Sequence, residues 1–141
     1  MDRGALDAAL EHGFPCGGWC PEGRLAEDGR IPDRYPLTEL AGSGYRQRTI
    51  RNIVDSDGTV ICYAGEVTGG TKLTLSQCLR KNRPFLLLDA LEVSADRAGE
   101  RIVAFIEAHG IGVLNVAGPR EGKWPGAHDY CFTMIARSLM G

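Results

Sequence analysis

The residues best placed to do chemistry begin between Gly58 and Leu79, GTVICYAGEVTGGTKLTLSQCL. A β-rich run, Thr59-Val60-Ile61-Cys62-Tyr63, leads into a small-residue loop, Ala64 to Thr71. Apolar residues at helical spacing follow at Leu75, Cys78 and Leu79. Strand, glycine loop and helix N-terminus, in that order, bring backbone N–H groups to bear on an anion. Gly69 and Gly70 let the backbone approach a ligand, and Thr68 or Thr71 can cap the helix or donate a hydroxyl. The same residues also describe an ordinary turn from strand to helix, so the elements around them decide.

Those elements belong to a chain of 141 residues, enough for one domain with a real core. The formal net charge of −2 supplies no basic field for nucleic acid. No apolar run approaches the ~20 residues that would make a membrane a partner. Thirteen of the sixteen cations are Arg, which favours bidentate contacts to oxyanions, although genomic base composition accounts for most of that bias. Five cysteines, an odd number, suit reduced thiols in a cytoplasmic protein better than a disulfide framework. Alternating strand and helix patterns indicate a single α/β domain over residues 1–141 with a mainly parallel sheet.

Read in order, residues 2–13 form a helix that starts at once, with Asp2 as its cap, an apolar stripe through Ala5, Leu6, Ala9 and Leu10, and Gly13 as its stop. Phe14 to Cys20 reads as a short strand running into a loop. Cys16 and Cys20 lie near His12, but no second Cys/His pair stands at ligand spacing, so no metal site is expected. Residues 21–44 carry little periodicity and read as an ordered lid or side wall pinned by Ile31, Tyr35, Leu37 and Leu40, with Arg24, Glu27 and Asp28 as candidate polar contacts. A helix follows over Tyr45 to Val54, capped by Ser43. Tyr45, Arg48 and Asn52 share one face, so Arg48 can be aimed at a ligand. Asp57-Gly58 is a tight turn.

Beyond the opening stretch, Phe85-Leu86-Leu87-Leu88-Asp89 is the continuous apolar run expected of a strand buried on both faces. Ser94 caps a helix that runs to His109 and stops at Gly110. Another short strand covers Gly112 to Val116, and Pro125 opens a final helix with Cys131, Met134, Ile135 and Leu139 as its apolar positions. His109 reads as a structural helix-end residue, and His128 has no assigned role.

Loops at the carboxyl ends of parallel strands line the ligand crevice in open α/β sheets. Gly17–Arg24, Thr68–Thr71 and Asn115–Lys123 fall there and offer glycine backbone, Arg, Asn, Thr and Trp. That set recognises a small anion carrying an organic ring better than it performs acid–base chemistry. No Ser-His-Asp spacing, nucleophile elbow, P-loop lysine or paired-carboxylate signature is present, and no catalytic residue is assigned.

Four separated stretches, GGWCPEGRLAEDGRIPDRYPL (17–37), SGYRQRTIRNIVDSDGT (43–59), TGGT (68–71) and LNVAGPRE with Trp124-Pro125, closely resemble the family known as putative molybdenum carriers. That family is a circularly permuted branch of the Rossmann-like SLOG superfamily, related to the LOG-type proteins. The resemblance spans essentially the whole chain. It implies a three-layer α/β/α Rossmann-like fold and a carrier role, with molybdenum cofactor, molybdate or a related pterin-phosphate or nucleotide-like ligand as cargo. It also implies oligomers, because relatives associate, and a ligand site that takes in the surviving first-loop residues Asp2 and Arg3. Thr68, Gly69, Gly70 and Thr71 would hold the anionic group. Asn115, Gly118, Pro119 and Arg120 would form the facing loop, with Trp19, Arg24 and Arg48 at its margins.

The alternative is a nucleotide-processing or nucleotide-sensing LOG-like protein, of the nucleoside monophosphate phosphoribohydrolase type. Those enzymes use PGGxGTxxE, whereas TGGT here is followed by Lys72-Leu73-Thr74 with no glutamate at that place. Asp57 or Glu121 would have to substitute.

Family members open with a strand and a loop of the form GGQTGVDRAALDAA, of which only the last part is matched, with Met1 where a Val usually stands. The expectation is that the first strand lies upstream and that Met1 is internal to a GGQTGMDR motif. The helix that starts without a strand gives the same expectation on physical grounds. Intact mass of the protein from its native host should then exceed that of Met1–Gly141; a mass equal to it would contradict the expectation.

Overall fold

The run Gly58–Tyr63 has β-branched residues at its centre and turn residues at both ends, and it forms the middle strand of the molecule. The computed structural model describes residues 2–13, 16–21, 25–26, 29–31, 34–40, 44–119 and 122–140. In chain order the elements are α1 (Asp2–Glu11), β1 (Trp19–Pro21), β2 (Leu25–Ala26), β3 (Gly29–Arg30), β4 (Thr38–Leu40), α2 (Tyr45–Val54), β5 (Gly58–Tyr63), α3 (Gly69–Arg80), β6 (Phe85–Asp89), α4 (Ala95–His109), β7 (Leu114–Ala117) and α5 (Ala127–Met140).

Strands β6, β5 and β7 form a parallel sheet in that order, with Ile61 opposite Leu87 on one side and Ala117 on the other. Successive side chains of β5 feed opposite faces. Ile61 packs with Ile53 of α2 and Cys78 of α3. Val60 and Cys62 pack with Ala98 and Ile102 of α4, Met134 of α5 and Ala8 of α1. The result is a Rossmann-like α/β arrangement, helices covering both faces of a parallel sheet, as the alternating pattern implied. Parallel β1–β4 and the antiparallel pair β2–β3 lie apart from this sheet.

Caps explain where the helices begin and end. Ser94 Oγ accepts from Arg97 N at 3.3 Å, and Gly110 closes α4 at φ 61°, as expected. Gly44 stands at the cap of α2, with its N–H donating to Gln47 Oε1 at 3.3 Å, whereas the expected cap, Ser43, lies outside the described residues. Asp2 is the first helical residue of α1 rather than its cap.

Four expectations need correcting. Residues 21–44, expected as an ordered loop, also hold strands: β2, β3 and β4 form there, too short to carry a readable period, while Ile31 and Tyr35 bury themselves against Leu6 as expected. Strand β7 starts at Leu114 rather than Gly112, because Asp57 Oδ2 accepts the N–H groups of Gly112 (3.0 Å) and Val113 (2.8 Å). Leu79 is not on the buried face of α3 but 62% exposed. Strand β6 is not buried on both faces: among the described residues it is an edge strand, and Leu87 is 37% exposed.

Close helix contacts depend on absent side chains. A methyl at Gly99 of α4 would lie 2.7 Å from Arg137 Cβ and 2.8 Å from Met134 O of α5. Gly99→Ala should therefore destabilise the protein by about 1–3 kcal/mol in urea unfolding, net of the helix-propensity gain of up to ~1 kcal/mol. Unchanged or increased stability would contradict this packing.

Candidate functional site

Helix α3 begins where β5 hands the chain over at its carboxyl end. Thr68 precedes it in extended conformation (φ −135°, ψ 166°) and caps it without a side-chain hydrogen bond. Its carbonyl takes the N–H groups of Thr71 (3.1 Å) and Lys72 (3.3 Å). Gly69 and Gly70 come before these, in the first turn, where helical N–H groups have no intrahelical acceptor. Gly69 adopts φ 54°, a conformation that side-chain-bearing residues rarely take. A methyl built on Gly70 meets nothing within 4 Å, so this turn faces open space.

That space is a small crevice of about 80 Å³ lined by Arg48, Thr49 and Asn52 of α2, Gly70 and Thr74 of α3, and Asn115 to Gly118 at the end of β7. Arg48 Nε is shut off from solvent. Asn115 Nδ2 donates to the buried Thr59 Oγ1 at 3.3 Å, and Thr59 in turn hydrogen-bonds the Cys78 thiol. These bonds tie the Asn115 amide to the sheet. Thr74 Oγ1 donates back to Gly70 O at 3.0 Å. Lys123 also reaches this end of α3: a methyl on Gly69 would lie 3.2 Å from its Nζ. A cation at a helix N-terminus opposes the helix dipole unless an anion stands between them. Gly18 closes from the other side, where its ideal Cβ would lie 3.3 Å from Asn52 Oδ1.

Of the expected ligand residues, the structure brings Arg48, Gly70, Asn115 and Gly118 into one lining. Thr68, Gly69 and Thr71 flank Gly70 on the same helix turn, and Pro119 follows Gly118. Arg3 lies elsewhere, over the Tyr35 ring with its guanidinium carbon 5.8 Å from the centroid. Asp2 starts α1 and Trp19 starts β1. Arg24 and Arg120, with Glu27, Asp28 and Glu121, lie outside the described residues. Asp57 sits at the opposite end of β5, engaged by Gly112 and Val113, and is not available to the crevice. Sequence reasoning missed Thr49 and Thr74, and took in Lys123 only as the end of the crevice stretch Asn115–Lys123 without giving it a role. Thr74 carried a usable signal, since it is four residues on from Gly70 and so shares its helix face.

A second, wider depression of about 550 Å³ lies between α1 and α5, lined by Asp7, Leu10, Glu11, Arg34, His128 and Phe132. Its charged groups answer one another. His128 Nε2 and Asp7 Oδ2 are 2.7 Å apart, Asp7 Oδ1 is 3.8 Å from Arg34, and Arg34 donates to Tyr35 Oη at 2.7 Å. Burial first, then the hydrogen bond with Asp7, raises the Tyr35 hydroxyl above its ordinary value. His128, given no role from sequence, thus ties α5 to α1. Cys62 is buried beside Met134 Sδ at 3.4 Å, and burial pushes its thiol up to about 12, which leaves no thiolate for chemistry at neutral pH.

The model of the circularly permutated YpsA SLOG family matches residues 1–139. The chain belongs to that family. It is also similar to a solved structure from Syntrophus aciditrophicus SB, described as a "putative molybdenum carrier protein", with 42% identity and a TM-score of 0.94. The match covers 98% of this chain and 87% of that one. No curated protein matches the chain. Family membership agrees with the resemblance carried by the four motifs, three of which, SGYRQRTIRNIVDSDGT, TGGT and LNVAGPRE, supply crevice residues.

Arg48 is the cation among the crevice-lining residues. Arg48→Gln should weaken binding of molybdate or phosphate by about 1.5–3 kcal/mol in calorimetric titration, with a shallower salt dependence. An unchanged affinity would remove Arg48 from the site.

Proposed function

We propose that this protein is a small-anion carrier whose cargo binds at the N-terminus of α3, between Arg48, Asn115 and the backbone of Gly69 and Gly70. The observation that carries the reading is the convergence of α2, α3 and β7 on one crevice that presents helix N–H groups and a guanidinium. Backbone donors aligned by a helix and a fixed cation suit an oxyanion. The described lining offers donors for binding, and its side chains are Arg, Thr, Asn, Val and Ala. This favours holding a ligand over transforming one.

The cargo class follows from size and from family. At about 80 Å³ the enclosed part holds a tetrahedral oxyanion head group, whereas sites that enclose drug-sized molecules run to roughly 300–1,000 Å³. A pterin or other ring attached to the anion therefore lies outside the enclosed part. The name of the Syntrophus aciditrophicus relative supports a molybdenum-containing cargo, either molybdate or molybdenum cofactor held through its phosphate.

A thermal-shift scan with molybdate, phosphate, pterin phosphates and nucleoside monophosphates tests the reading, since a ligand that binds only the native state raises the melting temperature. Gly70→Leu is the matched control, because its side chain has room in the fold but grows into the crevice. The wild-type chain should be stabilised by an oxyanion ligand and show no turnover, and Gly70→Leu should melt normally and lose the response. Release of base from a nucleoside monophosphate, or an equal response in Gly70→Leu, would overturn the carrier reading.

A further inference from the structure

Strand β6 is a weakly protected apolar element among the described residues. Its sequence, FLLLD, is that of a central strand, yet among the described residues it has a ladder partner, β5, on one side only. Leu87 in the middle of the strand is 37% exposed, and Leu79, near the end of α3, and Leu91, just past the strand, are 62% and 75% exposed. Phe85 and Leu86 are half-buried. Edge strands that stay single are guarded by charge, proline or a bulge within the strand. The one charged residue of β6, Asp89, is engaged at the strand's end, where Oδ1 accepts from Gly65 N of the loop after β5 and from Leu91 N at 3.0 Å each. Nothing within the strand therefore discourages pairing.

The charges around this edge are arranged by end. Arg80 and Lys81 precede β6, with Arg83 beside them donating to Ser56 O at 3.3 Å, and Glu92 follows it. A strand that is basic at its start and acidic at its end complements itself only when a second copy runs antiparallel. A two-fold axis through Leu87 sets Leu87 against itself and Leu86 against Leu88, and brings the Lys81–Arg83 end of one strand beside the Leu91–Glu92 end of the other. Parallel stacking would set like charges together at both ends. Isologous contacts of this kind close as dimers rather than growing into fibres.

We propose that β6 is a self-association edge: two copies of this chain pair antiparallel through Phe85–Asp89 to form one continuous six-stranded sheet, with Leu79, Leu87 and Leu91 covered at the seam. Strand addition satisfies the open row of backbone groups, and the leucines supply apolar area. The crevice stays open in this dimer, because β7 flanks β5 on the side away from β6.

Sedimentation equilibrium of the full chain tests this, with three variants. The wild type should be a dimer, and Leu87→Lys, which sets two ammonium groups together on the axis, should be a monomer with unchanged circular dichroism. Lys81→Glu and Glu92→Lys should each weaken the dimer about three- to tenfold, and the double reversal should restore it. A wild-type monomer at the highest attainable concentration would overturn the proposal and leave the edge to a different protein. An oligomer indifferent to Leu87→Lys would overturn it by placing the seam elsewhere. Single reversals without effect, or a double reversal that fails to rescue, would overturn the antiparallel register.

Discussion

Burial of β5 on all sides is the constraint from which the rest of the structure follows. Val60, Ile61 and Cys62 are fully buried, with a ladder partner on each edge and helices on each face. A strand so enclosed can end only by leaving the sheet, and Ala64 to Thr68 carry it to the first turn of α3. The N–H groups that this turn leaves without helical acceptors cannot be buried unpaired. They are placed instead at the mouth of a polar crevice, opposite Arg48 and Asn115. The proposed anion site is thus a by-product of terminating the central strand, furnished with charge by α2 and with an amide by β7.

The same strand sets the division of labour across the sheet. On one side β7 contributes Asn115 to Gly118 to the crevice, its start fixed by Asp57 and its amide by Thr59. On the other side β6 contributes apolar area and an open edge. The proposed binding at one flank and the proposed assembly at the other can coexist because neither uses the residues of the other. The Asp7–His128 contact lies in a third place and does structural work, holding α1 onto α5, where Gly4 lets the two helices touch.

Much of this was legible in the sequence, for identifiable reasons. Helices α2, α4 and α5 and strands β5 and β6 announce themselves through sustained periodicity, apolar runs and caps such as Ser94 and Gly110. The turn from β5 into α3 was legible because strand, small residues and helix follow in an order with few other uses, although the helix begins earlier than expected and takes Gly69, Gly70 and Thr71 into its first turn. Residues 21–44 were not, since strands of two or three residues have no period to read and owe their form to partners distant in sequence, as β1 does to β4. Nor could FLLLD reveal whether it lay at the centre or the edge, because an apolar run reads the same in both. His128 and Asp7 stand 121 positions apart, and only the packing of α1 on α5 makes them neighbours. Lys123 reaches Gly69 through loop geometry that no local pattern encodes.

The central claim is that an oxyanion binds at the start of α3. The most direct measurement is a titration of the isotopically labelled chain with molybdate, and separately with phosphate, followed by amide chemical shifts. The account predicts saturable shifts concentrated at Gly69, Gly70 and Thr71, with the Arg48 and Asn115 side-chain signals moving at the same ligand concentration. Saturable shifts confined to the α1–α5 depression around Asp7 and His128, or no shifts with either anion, would contradict it.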